Sequence, residues 1–385
     1  MAIGKGKIAL ISVFVIAIDG VVAVFIAIVL FLVFAWAVVH VTTAPSIEFS
    51  KEDSQSVRVE KTEAWLEKLH QQGSFNGAVL VAKEGQVIFS KCLGYTDASK
   101  KAEIKPQTSM RLASVSKQFT AAAILVLAEQ GKVGLDDPVA AHLNEFPFDD
   151  VTIRHLLNMT SGVPDCYMDL AQSHRDEIAD CLTNSDVARL IARFPPERVA
   201  KVNVKHKYSN TSYVLLATIV ESVSGESFEA FMSKEIFQPL GMQNTRVWNQ
   251  MSDDETFAGK AGSFLDGEDQ KPGFLDGVAG DGSVFCSLDD FEIWDQFWRG
   301  NDLVSAELMN QAFERPQLAD GSKSDYGFGW VVQSEKDWSH WHNGGWLGAR
   351  TYVYQDKDCC IVILDNSSSL IVDSMGSELH RALDD

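Results

Sequence analysis

The chain has 385 residues, 46% of them hydrophobic and 22% charged, which suffices for one large domain or two ordinary ones with a sizeable core. A formal charge of -20 argues against nucleic acid as a partner. The absence of any repeat and of any low-complexity tract argues against solenoids and tails.

The N-terminus reads as a membrane anchor. Behind Lys5 and Lys7, Val21 to Val39 runs 19 residues without a charge, a helix length of roughly 30 Å and therefore that of a bilayer core. The earlier apolar run Ile8 to Ile18 is too short to span alone, and Asp19-Gly20 separates the two. Together they exceed a usual signal-peptide core; a cleaved signal ending near Ala35-Trp36-Ala37 is the alternative. The two lysines keep the N-terminus in the cytoplasm, so the rest of the chain faces out from the cell membrane as a single-pass protein, periplasmic in a Gram-negative cell. Residues 1–44 are expected as the anchor, 45–56 as a polar tether and 57–385 as the folded domain.

In chain order, Val57 to His70 predicts a helix with Trp65 and Leu66 facing inward. "GAVLVAKEGQVIFSKCLGY" predicts a hairpin turning at Glu84-Gly85. From Ser114 an apolar helix runs to a C-cap at Gly131; between Phe119 and Ala128 it is apolar on all faces, hence buried all round. Val151 to Arg193 is helical and loop-rich. Helices follow at Ser212 to Ser224 and Phe228 to Phe237, then a long Gly- and Asp-rich loop over Asp253 to Gly282, and a helix at Leu288 to Trp298. "WSHWHNGG", "ARTYVY" and "CCIVILDNS" read as strands, and Leu370 to Ala382 as a closing helix. Strands at both ends with helices between predict an α+β fold: an antiparallel sheet flanked by terminal helices, with an inserted helical lobe. The cleft between sheet and lobe is the expected site.

The six cysteines, Cys92, Cys166, Cys181, Cys286, Cys359 and Cys360, include no C-x-x-C pair, so no zinc knuckle or thioredoxin motif is present. Cys166 and Cys181 are candidates for a local bridge in an oxidising compartment; six separate buried thiols is the other reading.

Three stretches carry chemistry. Ser114 and Lys117, three apart at a helix start, share a face. Burial disfavours the charged form of a lysine, so an amine placed there can take the serine proton, while the helix N-terminus and the Ser114 N–H favour a developing oxyanion. Tyr208-Ser209-Asn210 precedes an apolar helix; a tyrosine beside a buried lysine can act as general base, and Asn210 can offer an amide to a substrate. His342-Asn343-Gly344-Gly345 lies on an expected edge strand, where glycines admit a substrate backbone and Gly345 N–H can serve as a second oxyanion donor.

S-x-x-K, Y-x-N and H-x-G in this order resemble the serine hydrolases of the class C β-lactamase family, which includes DD-peptidases, D-amino-acid peptidases and esterases. The resemblance runs from about Gly77 to Ser367 and includes "LLNMTSGVPD", "IFQPLGMQNT", "AGDGSVFCSLDD" and "YGFGW". It implies Ser114 as the acylating nucleophile, Lys117 and Tyr208 as proton-transfer partners, Asn210 as a substrate contact, and His342, Asn343, Gly344 and Gly345 as the cleft wall. Met159 stands where the family often has histidine, and Asn343 where it has a hydroxyl residue. Class C β-lactamases proper have lysine where this chain has His342, which argues against a dedicated β-lactamase. As a partly charged group, His342 would hold a substrate carboxylate.

The expected activity is hydrolysis of an amide or ester, a D-amino-acid peptide or a small ester, with no cofactor. Rival readings fare worse. His340 and His342 share a strand face, but no H-E-x-x-H and no acidic third ligand joins them as a metal site. No G-x-S-x-G marks an α/β-hydrolase. A non-catalytic, penicillin-binding-like sensor or scaffold is the alternative function.

Overall fold

Strands from the two ends of the chain meet in one sheet. The computed structural model describes residues 42–251, 257 and 259–383. The expected membrane helix at 21–39 lies outside them, and among the described residues no helix is long and apolar enough to cross a membrane. From Ser46 on the chain packs as one unit.

In order, the elements are α1 (Gln55–Gln71), β1 (Gly77–Lys83), β2 (Gln86–Leu93), β3 (Met110–Arg111), a 3-10 turn (Ala113–Val115), α2 (Ser116–Glu129), α3 (Ile153–Leu157), α4 (Tyr167–Ser173), α5 (Asn184–Arg193), α6 (Asn210–Ser224), α7 (Phe228–Met232) and α8 (Gln238–Leu240). There follow β4 (Arg246–Val247), β5 (Phe264–Leu265), β6 (Glu268–Asp269), β7 (Val284–Cys286), α9 (Leu288–Arg299), α10 (Ala306–Gln311), β8 (Val331–Ser334), β9 (Ser339–Trp346), β10 (Ala349–Gln355), β11 (Cys359–Asp365) and α11 (Val372–Leu383).

The main sheet has the order β2-β1-β11-β10-β9-β8, with every pair antiparallel. The N-terminal hairpin therefore closes against the last strand, Gly77 opposite Asp365. Its two-residue turn has Glu84 at φ 51° and Gly85 at φ 74°, the pair of positive φ values that a type I′ connection requires. β1 and β11 are covered on both faces, which is why "GAVLVA" and "CCIVILD" are unbroken apolar runs. Along β9 and β10 successive side chains alternate between faces. Asn343 reaches Asp373 of α11 on one face, while Thr351 reaches Leu112 beside the 3-10 turn on the other.

The lobe is organised on α2 and α6. Every residue from Ser116 to Leu127 is buried. The Phe119 ring stacks on Trp294 of α9 at 3.9 Å, tying the lobe to the layer beneath the sheet. α6 packs on α2, α3 and α5 and ends at Gly225 in the left-handed region, φ 73°.

The predicted α+β layout holds, with additions. β8, the short sheet β3-β7-β4 and the β5–β6 pair were not expected, and the helix from Phe228 passes at Ser233 into a π-helical stretch. The tether expected over 45–56 is docked instead. Ile47 is buried, its N–H donates to Glu378 at 3.0 Å, its carbonyl accepts from Arg381 at 2.8 Å, and Phe49 lies under the Arg58 and Arg381 guanidinium groups. One apolar residue and one aromatic ring in a polar stretch are enough to seat it.

Candidate active site

The site forms where the 3-10 turn, the start of α2, the start of α6 and the second half of β9 converge. Ala113 has φ 48°, a left-handed conformation that an alanine adopts only under constraint. The constraint sits directly before Ser114 and turns the chain from β3 into the 3-10 turn. Ser116, two residues on, points elsewhere: it is buried and its hydroxyl accepts from Val284 N–H of β7 at 3.0 Å.

Lys117 is fully buried, and its Nζ has three partners: Asn210 Oδ1 at 2.8 Å, the Asp281 carbonyl at 2.8 Å and Ser114 Oγ at 3.1 Å. The first two oxygens can only accept. They fix two Nζ hydrogens and aim the third tetrahedral position at Ser114, where a hydrogen or a lone pair can point. Lys117 Nζ also lies 5.0 Å from the Tyr208 ring centroid.

Tyr208 and Asn210 are placed by a helix cap. Ser209 is the N-cap of α6, its hydroxyl accepting from Ser212 N–H at 3.2 Å. The residues on either side therefore face the cleft. Asn210 was expected to offer its amide to substrate, but both ends of that amide are engaged: Oδ1 by Lys117, and Nδ2 donating to Asp165 at 2.9 Å.

β9 supplies the opposite wall. β8 pairs with it only as far as Trp341, so the edge from His342 to Trp346 is open toward Ser114. Gly344 is pressed onto the 3-10 turn: a Cβ there would come within 2.4 Å of Leu112 O and 2.9 Å of Ser114 N. Two cavities meet at Ser114. One, about 250 Å³, is lined by Arg111, Asn210, Asp276, Asp281 and Trp346. The other, about 390 Å³, is lined by Tyr208, Asn343, Gly344, Gly345, Arg350 and Asp373.

His342 departs from expectation. It is buried and lines neither cavity. Burial, with the Lys117 charge adding to it, pushes its pKa down to about 3, so it is neutral rather than partly cationic. Its Nδ1 lies 2.6 Å from the Asn343 carbonyl, which can only accept, so Nδ1 carries the hydrogen and Nε2 takes the Tyr326 hydroxyl at 2.9 Å. Asn343, which stands where the family has a hydroxyl residue, donates to Asp373 at 2.9 Å.

Sequence reasoning missed the groups that brace this arrangement. Asp165 receives Thr211 N–H at 3.0 Å as well as Asn210. The Asp281 side chain is buried, its pKa raised by burial against the pull of Lys117, and it accepts the Tyr167 hydroxyl at 3.0 Å. Asp276 is shared by Arg111 at 3.5 Å and Trp346 Nε1 at 2.7 Å. The only signal for Asp165 and Asp281 was their presence in "GVPD" and "AGDGS". All six cysteines are free; Cys166 and Cys181 form no bridge, and burial holds the Cys166 thiol up at about 11.

Comparison with known proteins shows the family. The Beta-lactamase family profile matches residues 62–382. Penicillin-binding protein 4* of Bacillus subtilis (strain 168) is 36% identical over 318 residues, covering 78% of this chain and 70% of that protein. The D-aminopeptidase of Brucella anthropi is 30% identical over 258 residues, covering 66% of this chain and 48% of that one. Among solved structures, an octameric penicillin-binding protein homologue from Pyrococcus abyssi superposes with a TM-score of 0.70 at 27% identity, covering 84% of this chain and 77% of that one. The chain belongs to the β-lactamase family and is a serine hydrolase of the penicillin-binding-protein-like kind.

Proposed function

We propose that the chain is a membrane-anchored, extracytoplasmic hydrolase that cleaves an amide or ester through an acyl-enzyme on Ser114. The observation that carries this reading is the Lys117 amine, held by two carbonyl oxygens and aimed at Ser114 Oγ at 3.1 Å. Ser114 Oγ attacks the substrate carbonyl, its proton passing to the Lys117–Tyr208 pair. The oxyanion is received by the N–H groups of Ser114 and Gly345. Tyr208 returns the proton to the leaving group as the C–N or C–O bond breaks, and water releases the acyl group by the reverse sequence. Asn210 acts by positioning Lys117, and Gly344 lets the β9 edge close onto the 3-10 turn that carries Ser114.

A D-amino-acid peptide or small ester suits this site better than a role as dedicated β-lactamase, because the third motif carries a neutral histidine in place of lysine. The anchor at 1–44 rests on the uncharged run Val21 to Val39 behind Lys5 and Lys7. Protease treatment of intact cells should digest the body while the N-terminus stays with the membrane.

The test of activity is a screen of the purified full-length chain against p-nitrophenyl esters, D-alanyl peptides and nitrocefin, with a neutral fluorophosphonate mapped by mass spectrometry. Turnover with the label on Ser114 is expected. Label on another residue sinks the assignment, and acylation without turnover makes the chain a sensor instead.

A further inference from the structure

The Asn210 amide can face Lys117 with either end, and the two ends do opposite things. Oδ1 accepts from Nζ and leaves the third Nζ position for Ser114. Nδ2, turned inward, would point a hydrogen at Nζ and either claim the amine's lone pair or repel its protons. An amide has nearly the same shape both ways round, so its sense is set by what the outer end meets. The outer end meets Asp165. Asp165 Oδ2 takes Asn210 Nδ2 at 2.9 Å, and a carboxylate oxygen can only accept. Nδ2 is therefore held outward, and Oδ1 inward at 2.8 Å from Nζ.

The other oxygen of Asp165 is committed to the helix. Oδ1 takes Thr211 N–H at 3.0 Å and the Thr211 hydroxyl at 3.2 Å. This is the start of α6, where N–H groups lack helical partners and a negative charge is favoured. Thr211 is buried, and its hydroxyl oxygen accepts in turn from the N–H groups of Cys166 at 2.8 Å and Tyr167 at 3.0 Å. Asp165 and Thr211 thus clasp this segment to α6. The second acceptor of Lys117 leads back to the same segment: Tyr167 donates to the Asp281 side chain at 3.0 Å, and the Asp281 carbonyl takes Nζ at 2.8 Å. Residues 165 and 167 hold both of the groups that hold the amine.

We propose that Asp165 is a positioning residue for the acylation step: one oxygen fastens it to α6, and the other fixes the sense of the Asn210 amide and so keeps Lys117 Nζ directed at Ser114. The inference rests on the acyl-enzyme reading above. Its signature is that Asp165→Asn keeps the shape and the clasp but inverts the outer contact. The carboxamide oxygen still receives Thr211 N–H, so the NH2 group is left facing Asn210, where two donors cannot meet. The Asn210 amide must turn over and present Nδ2 to Lys117. Adding Asn210→Asp makes donor and acceptor exchange places, and an oxygen faces Lys117 again. Asp165 is exposed, so these isosteric exchanges leave the core untouched.

The test follows labelling of Ser114 by the fluorophosphonate in the full-length chain, as a maximal rate kinact and a half-saturating concentration KI, together with the melting temperature. Asp165→Asn should lower kinact by about a hundredfold, the scale of a misplaced reacting group, with KI and melting temperature close to wild type. The double variant Asp165→Asn/Asn210→Asp should regain about tenfold of that loss, the scale of a charge-assisted hydrogen bond. Thr211→Val breaks the clasp and not the Asn210 contact, so it should lower the melting temperature and keep kinact. An unchanged kinact in Asp165→Asn, an equal fall in Thr211→Val, or a double variant no faster than Asp165→Asn would overturn the proposal. Failure of the wild-type chain to label at Ser114 would instead overturn the acyl-enzyme reading on which it stands.

Discussion

His342 Nε2 takes its hydrogen bond from the Tyr326 hydroxyl at 2.9 Å, and the ring is buried and lines neither cavity of the cleft. With its pKa pushed down to about 3 by burial, His342 does not change charge near neutrality. The KM of a D-alanyl peptide and that of a neutral ester should therefore both lack an inflection near pH 6.5. Steady-state kinetics from about pH 5.5 to 8 would show it; an inflection for the peptide alone, lost in His342→Gln, would restore a charged role to this ring.

The same burial makes the fold acid-sensitive. An unfolded histidine takes a proton near its ordinary 6.5, whereas His340 and His342 in the folded chain are both held at about 3. The unfolded state thus binds more protons below pH 6.5, so stability falls as the pH drops from there toward 3. Asp365 works in the opposite sense. Burial pushes it up from 3.8 to about 6, and the stability it adds at low pH is lost as the pH rises through that value. Burial also raises Asp281, Glu221 and Asp290 and lowers His155 and His206; each of the two histidines held at about 3 is displaced further than Asp365, so urea unfolding should show lower stability at about pH 4.5 than at pH 7. His342→Gln should reduce that slope; an identical slope would mean that the ring is charged in the native state.

Ser114→Ala should abolish phosphonate labelling and lower turnover by about a thousandfold or more, with the melting temperature little changed. Ser116→Ala strands Val284 N–H, which accounts for a loss of about 1–3 kcal/mol of stability, but it should keep the label. Labelling and calorimetry on the two variants separate chemistry from packing.

Lys117→Ala and Tyr208→Phe should each slow acylation by about a hundredfold or more. Lys117 lies against both Ser114 and the Tyr208 ring, so the double variant should lose less than the product of the two effects. Stopped-flow acylation rates that multiply would count against a shared proton path.

Gly344→Ala drives a methyl group into Leu112 O and Ser114 N. The strand and the 3-10 turn must part, with a stability loss of about 1–3 kcal/mol and a fall in kcat of about a hundredfold for an ångström of misplacement. Unaltered kcat would show that the β9 edge does not set the position of Ser114.

What the sequence made legible was local. Ser114 and Lys117 lie within one turn, and Tyr208 and Asn210 flank a cap, so spacing alone brings each pair into the cleft. What it hid was contributed from a distance. Nothing near His342 announces that Tyr326 will cover it, nor that Asp165 will take the Asn210 amide. β8 escaped for another reason: four residues of mixed burial carry too little pattern to register as a strand.

The pairing of Gly77 with Asp365 brings together residues roughly 290 positions apart. Such a contact is slow to form, because the intervening loop must be closed first. During synthesis the β1–β2 hairpin has no partner for β1 until the last strand emerges, and its apolar edge stays open for that whole interval. Chains cut short before Cys359 should therefore aggregate through β1 rather than persist as a folded lobe. Any helper that shields the nascent chain would need to bind the residues around Gly77–Lys83 first and let them go last.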